Sequence, residues 1–341
     1  ENYSENFIVV DNQYNPLSPN SFGNFEISTV LIKTSFSKSD ENYSETFKDF
    51  QDNRLIIAQR LAALNGDSSG TVDEFGFPIG YGKNNQAVLI PSFLSAYSGK
   101  NAENISLNAI TDNPLPNWSV NYSGLINIDF FKERFKKFSL GHAYRSSYTL
   151  NNFKSNLEYN PSNTQLTDDS GNYINEFLYT NINLVEQFNP LLKIDMELNN
   201  SLQIVMSLKK DRALSLSLDN NLLTESNGTD YSIGLGYRIK DLKFTNRVGG
   251  KRRVSKGDLN IKTDLNFRDN ITIIRNLNIE DNKVTAGQKM WSLKTSADYN
   301  LSKSFNAIFF YDHLFSKFAI STAFPMTTIR AGMTLRYNFG E

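Results

Sequence analysis

The last stretch of the chain alternates strictly. Ile329, Ala331, Met333, Leu335, Tyr337 and Phe339 fall on one register, and Thr328, Arg330, Gly332, Thr334, Arg336 and Asn338 on the other. A strand has a side-chain period of two, so one face of this segment is apolar and the other polar. The same pattern recurs upstream. Leu192, Ile194, Met196 and Leu198 alternate with Lys193, Asp195 and Glu197; Leu202, Ile204, Met206 and Leu208 follow, then Leu214, Leu216 and Leu218. Tyr231, Ile233, Leu235, Tyr237 and Ile239 oppose Ser232, Gly234, Gly236 and Arg238. Leu259, Ile261, Leu265 and Phe267 form the next apolar set, and Trp291, Leu293, Ala297 and Tyr299 the one after, opposite Ser292, Lys294, Ser296 and Asp298. Turns are expected at Asn199-Asn200, Lys210-Asp211 and Asn227-Gly228. Counting residues 304–312 and 328–339, the chain holds about a dozen strands.

Upstream of residue 118 the period changes. Residues 1–43 are expected to be a polar segment ending in a first strand over 25–37. Ser44 is a plausible N-cap, and Phe47, Phe50, Arg54, Ile57, Leu61 and Leu64 recur at three- and four-residue steps up to Gly66. That predicts one amphipathic helix over 44–65. Residues 65–117 look irregular, but the islands Phe75–Ile79 and Val88–Leu94 favour a packed insert. The expected organisation is therefore 1–43, an insert over 44–117 that packs on a barrel mouth, and strands over 118–341. Trp118, Val120, Tyr122, Gly124, Ile126 and Ile128 share one predicted strand face, and a bulge is expected near Phe177-Leu178.

The alternation by itself fits a soluble sandwich or a membrane barrel. Three features favour an all-β, transmembrane antiparallel barrel. The strands are long and many, aromatics gather near their ends, and short turns alternate with longer polar loops. No run approaches the length of a transmembrane helix. A mean hydropathy of −0.42 does not argue against a barrel, because only alternate residues face lipid. The closing run is about as long as a tilted membrane strand, roughly 9–11 residues. On this view Lys193, Asp195, Lys294, Arg330 and Arg336 line a wet lumen.

Composition narrows the chemistry. With 35 basic and 36 acidic residues, the 341-residue chain has no global pull toward nucleic acid, and none is expected as a partner. Cysteine is absent, which removes disulfides, thiol nucleophiles and thiolate metal sites. The only histidines are His142 and His313, each in or beside a strand, so neither a metal centre nor a Ser–His hydrolase is expected, and no cofactor or enzyme activity. Asn65 to Gly76 places oxygen side chains at several calcium-loop positions, but Gly76 stands where a bidentate glutamate belongs, so an ordinary turn is the simpler reading. Lys251-Arg252-Arg253 reads as a solvated loop, with anionic headgroup contact as the alternative.

Two resemblances add to this. Arg330, Gly332, Leu335 and Tyr337, with Phe339 beyond, resemble the C-terminal β-signal that the assembly machinery of bacterial outer-membrane barrels reads. More narrowly, three runs resemble the C-terminal part of the SprA/Sov family: Asn113-Pro114-Leu115-Pro116-Asn117-Trp118 continuing to Leu125, Leu208-Lys209-Lys210-Asp211-Arg212-Ala213 continuing to Ser217, and Thr322-Ala323-Phe324-Pro325-Met326 continuing to Arg330. That family is the outer-membrane translocon of the type nine secretion system in Bacteroidota. The resemblance implies one very large barrel of which this chain is the C-terminal portion, pairing with further strands of the same barrel. It also implies an outer-membrane location, folded secreted cargo passing through the lumen, a PorV-like barrel beside a lateral opening, and a plug protein at the periplasmic end. A general porin or nutrient transporter that closes on its own strands is the alternative.

Overall fold

A computed structural model describes residues 2–4, 7–10, 13–16, 20–66, 70–248, 251–300, 305–320, 324–337 and 339. Antiparallel sheet dominates. The strands are β1 (Asn2–Ser4), β2 (Phe7–Val10), β3 (Gln13–Pro16), β4 (Asn20–Ser28), β5 (Trp118–Tyr122), β6 (Phe135–Ser155) and β7 (Phe177–Leu178), followed by β8 (Asn181–Leu198), β9 (Leu202–Ser217), β10 (Leu222–Val248), β11 (Lys251–Asn276), β12 (Asn282–Asn300), β13 (Phe305–Phe318) and β14 (Met326–Tyr337). The helices are α1 (Glu45–Leu64), α2 (Gln86–Ser98) and the single turn α3 (Asp129–Lys132).

From β8 to β14 each strand bonds to the next, a plain meander. The main sheet runs β1-β4-β6-β8 and on to β14, with β5 and β7 also on β6, while β2 and β3 pair apart. Every pairing in the main sheet is antiparallel. Among the described residues the sheet does not close: β14 pairs only with β13, and β5 only with β6.

Several local expectations change. The Asn199-Asn200 turn is present, with Ser201 at φ 68° just after it. Lys210-Asp211 and Asn227-Gly228 are not turns; they lie inside β9 and β10. The reason is cross-strand partnership. Phe188 faces Lys210 and Glu186 faces Arg212, so the period of two carries on through the charges. Gly228 sits opposite Asp211, and a Cβ there would stand 2.6 Å from that carboxylate. The glycine makes room for a neighbour rather than for a positive φ. The expected strand over 25–37 ends at Ser28, and a 3-10 turn follows at Ile32–Thr34. The predicted strand face over 118–128 stops at Tyr122, where a second 3-10 turn, Gly124–Asn127, begins. Phe177 and Leu178 form the short β7 rather than a bulge, and the register slip in β8 lies between Phe188 and Leu192.

The insert holds two substantial helices, not one. α1 starts where expected, with the Ser44 hydroxyl accepting from the Phe47 amide at 3.3 Å. Phe47, Phe50, Ile57, Ala58 and Ala62 are buried along one face, whereas Leu64 is 76% exposed and off that face. α2 is the apolar island at Val88–Leu94. Asn85 caps its start by accepting from Ala87, and Gly99, at φ 65°, ends it. Val88, Leu89, Ile90, Phe93 and Tyr97 are buried around its circumference, as befits a helix enclosed by its neighbours. α2 packs on α1 (Phe50–Phe93 ring centroids 5.7 Å apart), and the two together cover Leu150, Ile182, Leu184, Leu214, Leu216 and Leu223 of the sheet.

Candidate functional site

The register of β6 through β14 assigns each side chain to a face. One row across the sheet reads Leu140, Ile194, Met206, Ile233, Leu265, Leu293, His313 and Ile329. The adjacent row on that face, Met196, Ile204, Leu235, Thr263, Thr295, Tyr311 and Ala331, is apolar apart from two threonines that bond each other at 3.3 Å, and the row after it, Tyr237, Ile261, Ala297, Phe309 and Met333, is apolar throughout. Many of these side chains are open: Ile329 is 58% exposed and Leu235 42%. On one side the band ends in an aromatic row, Tyr231, Phe267, Trp291 and Phe315, directly opposite one another on four neighbouring strands. On the other it ends near Tyr237, Tyr299 and Tyr337, with Phe305 paired to Tyr337. From Leu259 to Phe267 the band spans roughly 25–30 Å of strand at about 3.3 Å per residue.

The opposite face is polar. Asp195, Val205, Gly234, Asp264, Lys294, Asp312 and Arg330 form one row, so three of the candidate wall residues sit level with one another. Charges of opposite sign neighbour each other along it. Arg330 reaches Asp312 at 3.2 Å, and Lys137 reaches Asp195 at 2.7 Å. Lys193 lies one row away, opposite Ser207, and Arg336 lies near the end of β14, opposite Asn306. Exposed pairs of this kind contribute little stability, about 0–1 kcal/mol, so the row is better understood as a hydrated surface than as a clamp.

β14 carries the expected assembly residues. Arg330 and Gly332 are on the polar face, Leu335 and Tyr337 on the apolar one. Gly332 has a packing role: a Cβ there would lie 2.8 Å from the Phe310 ring. The Tyr337 and Phe339 rings are 4.7 Å apart, and Phe339 is 91% exposed. Among the described residues no strand pairs with the outer edge of β14, which leaves its amides and carbonyls to bond another strand.

Beyond the aromatic row the apolar register turns ionic. Phe188, Lys210, Thr229, Asp269, Lys289 and Lys317 form the next row. Past it stand two buried ion pairs, Glu186–Arg212 and Glu225–Arg275, each at 3.0 Å. Both hold residues 31–40, which cross the sheet there. Arg212 donates to the Thr34 carbonyl at 2.9 Å, Ser35 donates to Glu186 at 2.6 Å, and Arg275 donates to the Asp40 carbonyl at 2.7 Å. The Tyr144 hydroxyl accepts from the Leu31 amide and donates to Glu186. The insert therefore packs on the apolar-register face of the sheet, beyond the bare band. The expectation of turns at Lys210-Asp211 and Asn227-Gly228 hides these pairs; the parity that Leu202–Leu208 shares with Leu214 and Leu216, carried across the charges at Lys210 and Arg212, is the signal that could have found them.

The remaining candidates disperse. His142 bonds the Leu191 carbonyl through Nδ1 at 2.7 Å, while His313 lies against Trp291 with centroids 4.6 Å apart. β8 to β12 separate their strands, so the two imidazoles do not meet. Asp73 of the loop checked for calcium accepts the amides of Phe75 and Phe77, which makes it a turn residue; Asp67 to Ser69 lie outside the described residues. Lys251, Arg252 and Arg253 open β11, opposite Val248, Arg247 and Asn246, rather than forming a loop. Among the described residues no helix is long and apolar enough to cross a membrane, which leaves strands that cross untouched.

No protein-family model and no curated protein matches the chain.

Proposed function

We propose that these strands are part of the wall of an outer-membrane β-barrel, with the apolar band toward lipid and the polar face toward a wet lumen, acting as a passive conduit for protein. The observation that carries this is the bare apolar band in register across β8 to β14, bounded by aromatic rows and backed by a charged face. A strand length of roughly 25–30 Å, tilted by about 35–45°, gives a height of about 18–25 Å, at or somewhat below the ~25 Å apolar belt of such barrels. The free edges of β14 and β5 call for further strands, because an unpaired edge in hydrocarbon leaves backbone groups without partners. That requirement agrees with the resemblance to the SprA/Sov translocon, in which this chain supplies the C-terminal part of a much larger ring. Mixed charge on the lumen row of Asp195, Lys294 and Arg330 suits varied folded cargo better than one selected ion. A PorV-like barrel and a plug protein are the partners this assignment carries.

The test compares adjacent residues of β10 that face opposite ways. Ile233→Arg puts a charge in the middle of the apolar band and is expected to cost about 2–4 kcal/mol of insertion energy. Ser232→Arg adds the same charge to the polar face and is expected to assemble normally. Heat-modifiable migration and protease protection of outer-membrane fractions measure both. Equal tolerance of the two changes overturns the assignment of faces.

A further inference from the structure

Residues 39–42 overhang a groove of about 590 Å³. On its upper rim are Ser39, Asp40, Glu41 and Asn42; its lower rim is formed by Tyr231 and Phe267 of the aromatic row, with Asp269 and Lys289 between. The overhang is firmly held. Ser39 donates to Glu225 at 2.6 Å, and Arg275 donates to Ser39 at 3.0 Å. Tyr231 is 50% exposed and Phe267 40%, so the lower rim opens directly onto the bare band. A molecule filling this groove must be polar at one end and apolar at the other.

The charges narrow it further. Among the described lining residues Lys289 is the one cation, and it already pairs with Asp269 at 3.1 Å; Lys38, outside the lining, pairs with Asp40 at 3.6 Å. Asp40 and Glu41 face it from the overhang. The amides of Tyr43 and Asn42 hold the Asp40 carboxyl below the usual carboxylate range, so it presents a negative charge at neutral pH. A headgroup bearing only negative charge would meet more carboxylates than cations here. One bearing a phosphate and an adjacent ammonium meets complementary charge at both ends.

We propose that this groove seats the headgroup of a zwitterionic phospholipid with a primary ammonium, a phosphoethanolamine lipid. Its phosphate lies on Lys289, its ammonium donates to the carboxylate of Glu41 and shares that of Asp40 with Lys38, and its acyl chains run down over Tyr231 and Phe267. The ammonium must be a hydrogen-bond donor to satisfy those carboxylates, which separates it from a quaternary choline. This proposal rests on the membrane assignment made above.

The experiment reconstitutes the chain, kept within the assembly in which it is extracted from membranes, into vesicles of equal phosphatidylethanolamine, phosphatidylcholine and phosphatidylglycerol. Flotation reports insertion. Native mass spectrometry after gentle detergent extraction then reports which lipid stays bound. The expected result is selective retention of phosphatidylethanolamine, reduced roughly tenfold by Lys289→Glu through loss of the charge-assisted bond to phosphate. Glu41→Gln, on the exposed overhang, is expected to narrow the preference over phosphatidylcholine without affecting flotation, which guards against misfolding of the first variant. Lys283→Glu, on β12 outside the groove, is the control and is expected to change nothing. Insertion with lipids retained in bulk proportion, or with phosphatidylglycerol preferred, overturns the headgroup site and leaves the membrane assignment standing. Failure to float overturns both.

Discussion

The same strands treat one face in two ways. In β9 and β10, Met206, Ile233 and Leu235 belong to the bare apolar band, with Leu235 42% exposed. A few residues along those strands, with no change of register, Leu214, Leu216 and Leu223 are buried under α1 and α2. Between them lie the ionic row at Lys210 and the ion pairs at Glu186–Arg212 and Glu225–Arg275. Leu216 and Ile233 are therefore equivalent by alternation and different in environment. The comparison teaches that a period of two tells which side chains share a face, while what covers the face depends on what packs there. The insert solves the covering problem with its own apolar surface beyond the band, and the proposed lipid solves it within.

The ion pairs that mark the boundary offer the largest test. Arg275→Met leaves Glu225 buried beside apolar groups, and Arg212→Met does the same to Glu186. Each is expected to cost about 3–5 kcal/mol, read as lost hydrogen-exchange protection of residues 31–43 and of α1. Replacing both partners, Glu225→Leu with Arg275→Met, is expected to restore most of that protection, since a well-packed apolar pair can stand in for a buried ion pair. A double variant as weak as the single one would show that the hydrogen bonds to Ser39 and Asp40, not the pairing, carry the contact.

Truncation sharpens the comparison at the next level. Leu216→Ala opens a cavity under α2 and is expected to destabilise the insert by about 2–5 kcal/mol. Leu235→Ala removes a similar side chain from the bare band and is expected to stay within about 1 kcal/mol in detergent, where the micelle refills the space. Guanidinium unfolding of the micellar protein measures both, and equal losses would mean that the two environments are not distinct. The smallest expected effect is at the helix cap. Ser44→Ala removes the bond to Phe47 and is expected to lower α1 stability by about 1 kcal/mol without changing strands β8 to β14, measured by amide exchange within α1.

Much of this architecture was legible in the residues. The alternation in 192–208, 231–239, 259–267, 291–299 and 328–337 names the faces that the register later aligned. Ser44 and the spacing after it locate α1 within a residue. Other features were not legible. An apolar island such as Val88–Leu94 carries no period when a helix is buried all round, so α2 could not be told from a packed loop. Asn227-Gly228 and Lys210-Asp211 have the composition of turns, and only their partners across the sheet keep them extended. Parity puts Asp195, Lys294 and Arg330 together on the polar face, but nothing in one strand says that they stand level with one another.

Alone, the sequence determined which side chains share a face and where α1 begins, because both follow from local periodicity and capping. Tertiary structure decided the rest. The alignment of strands fixed which residues form the charged row, the aromatic row and the buried ion pairs. It also decided that the insert lies on the apolar-register face beyond the band. These depend on contacts between residues far apart in the chain, such as the 236 positions between Ser39 and Arg275. No local pattern encodes such a distance; the chain has to pair its strands before either residue has a partner.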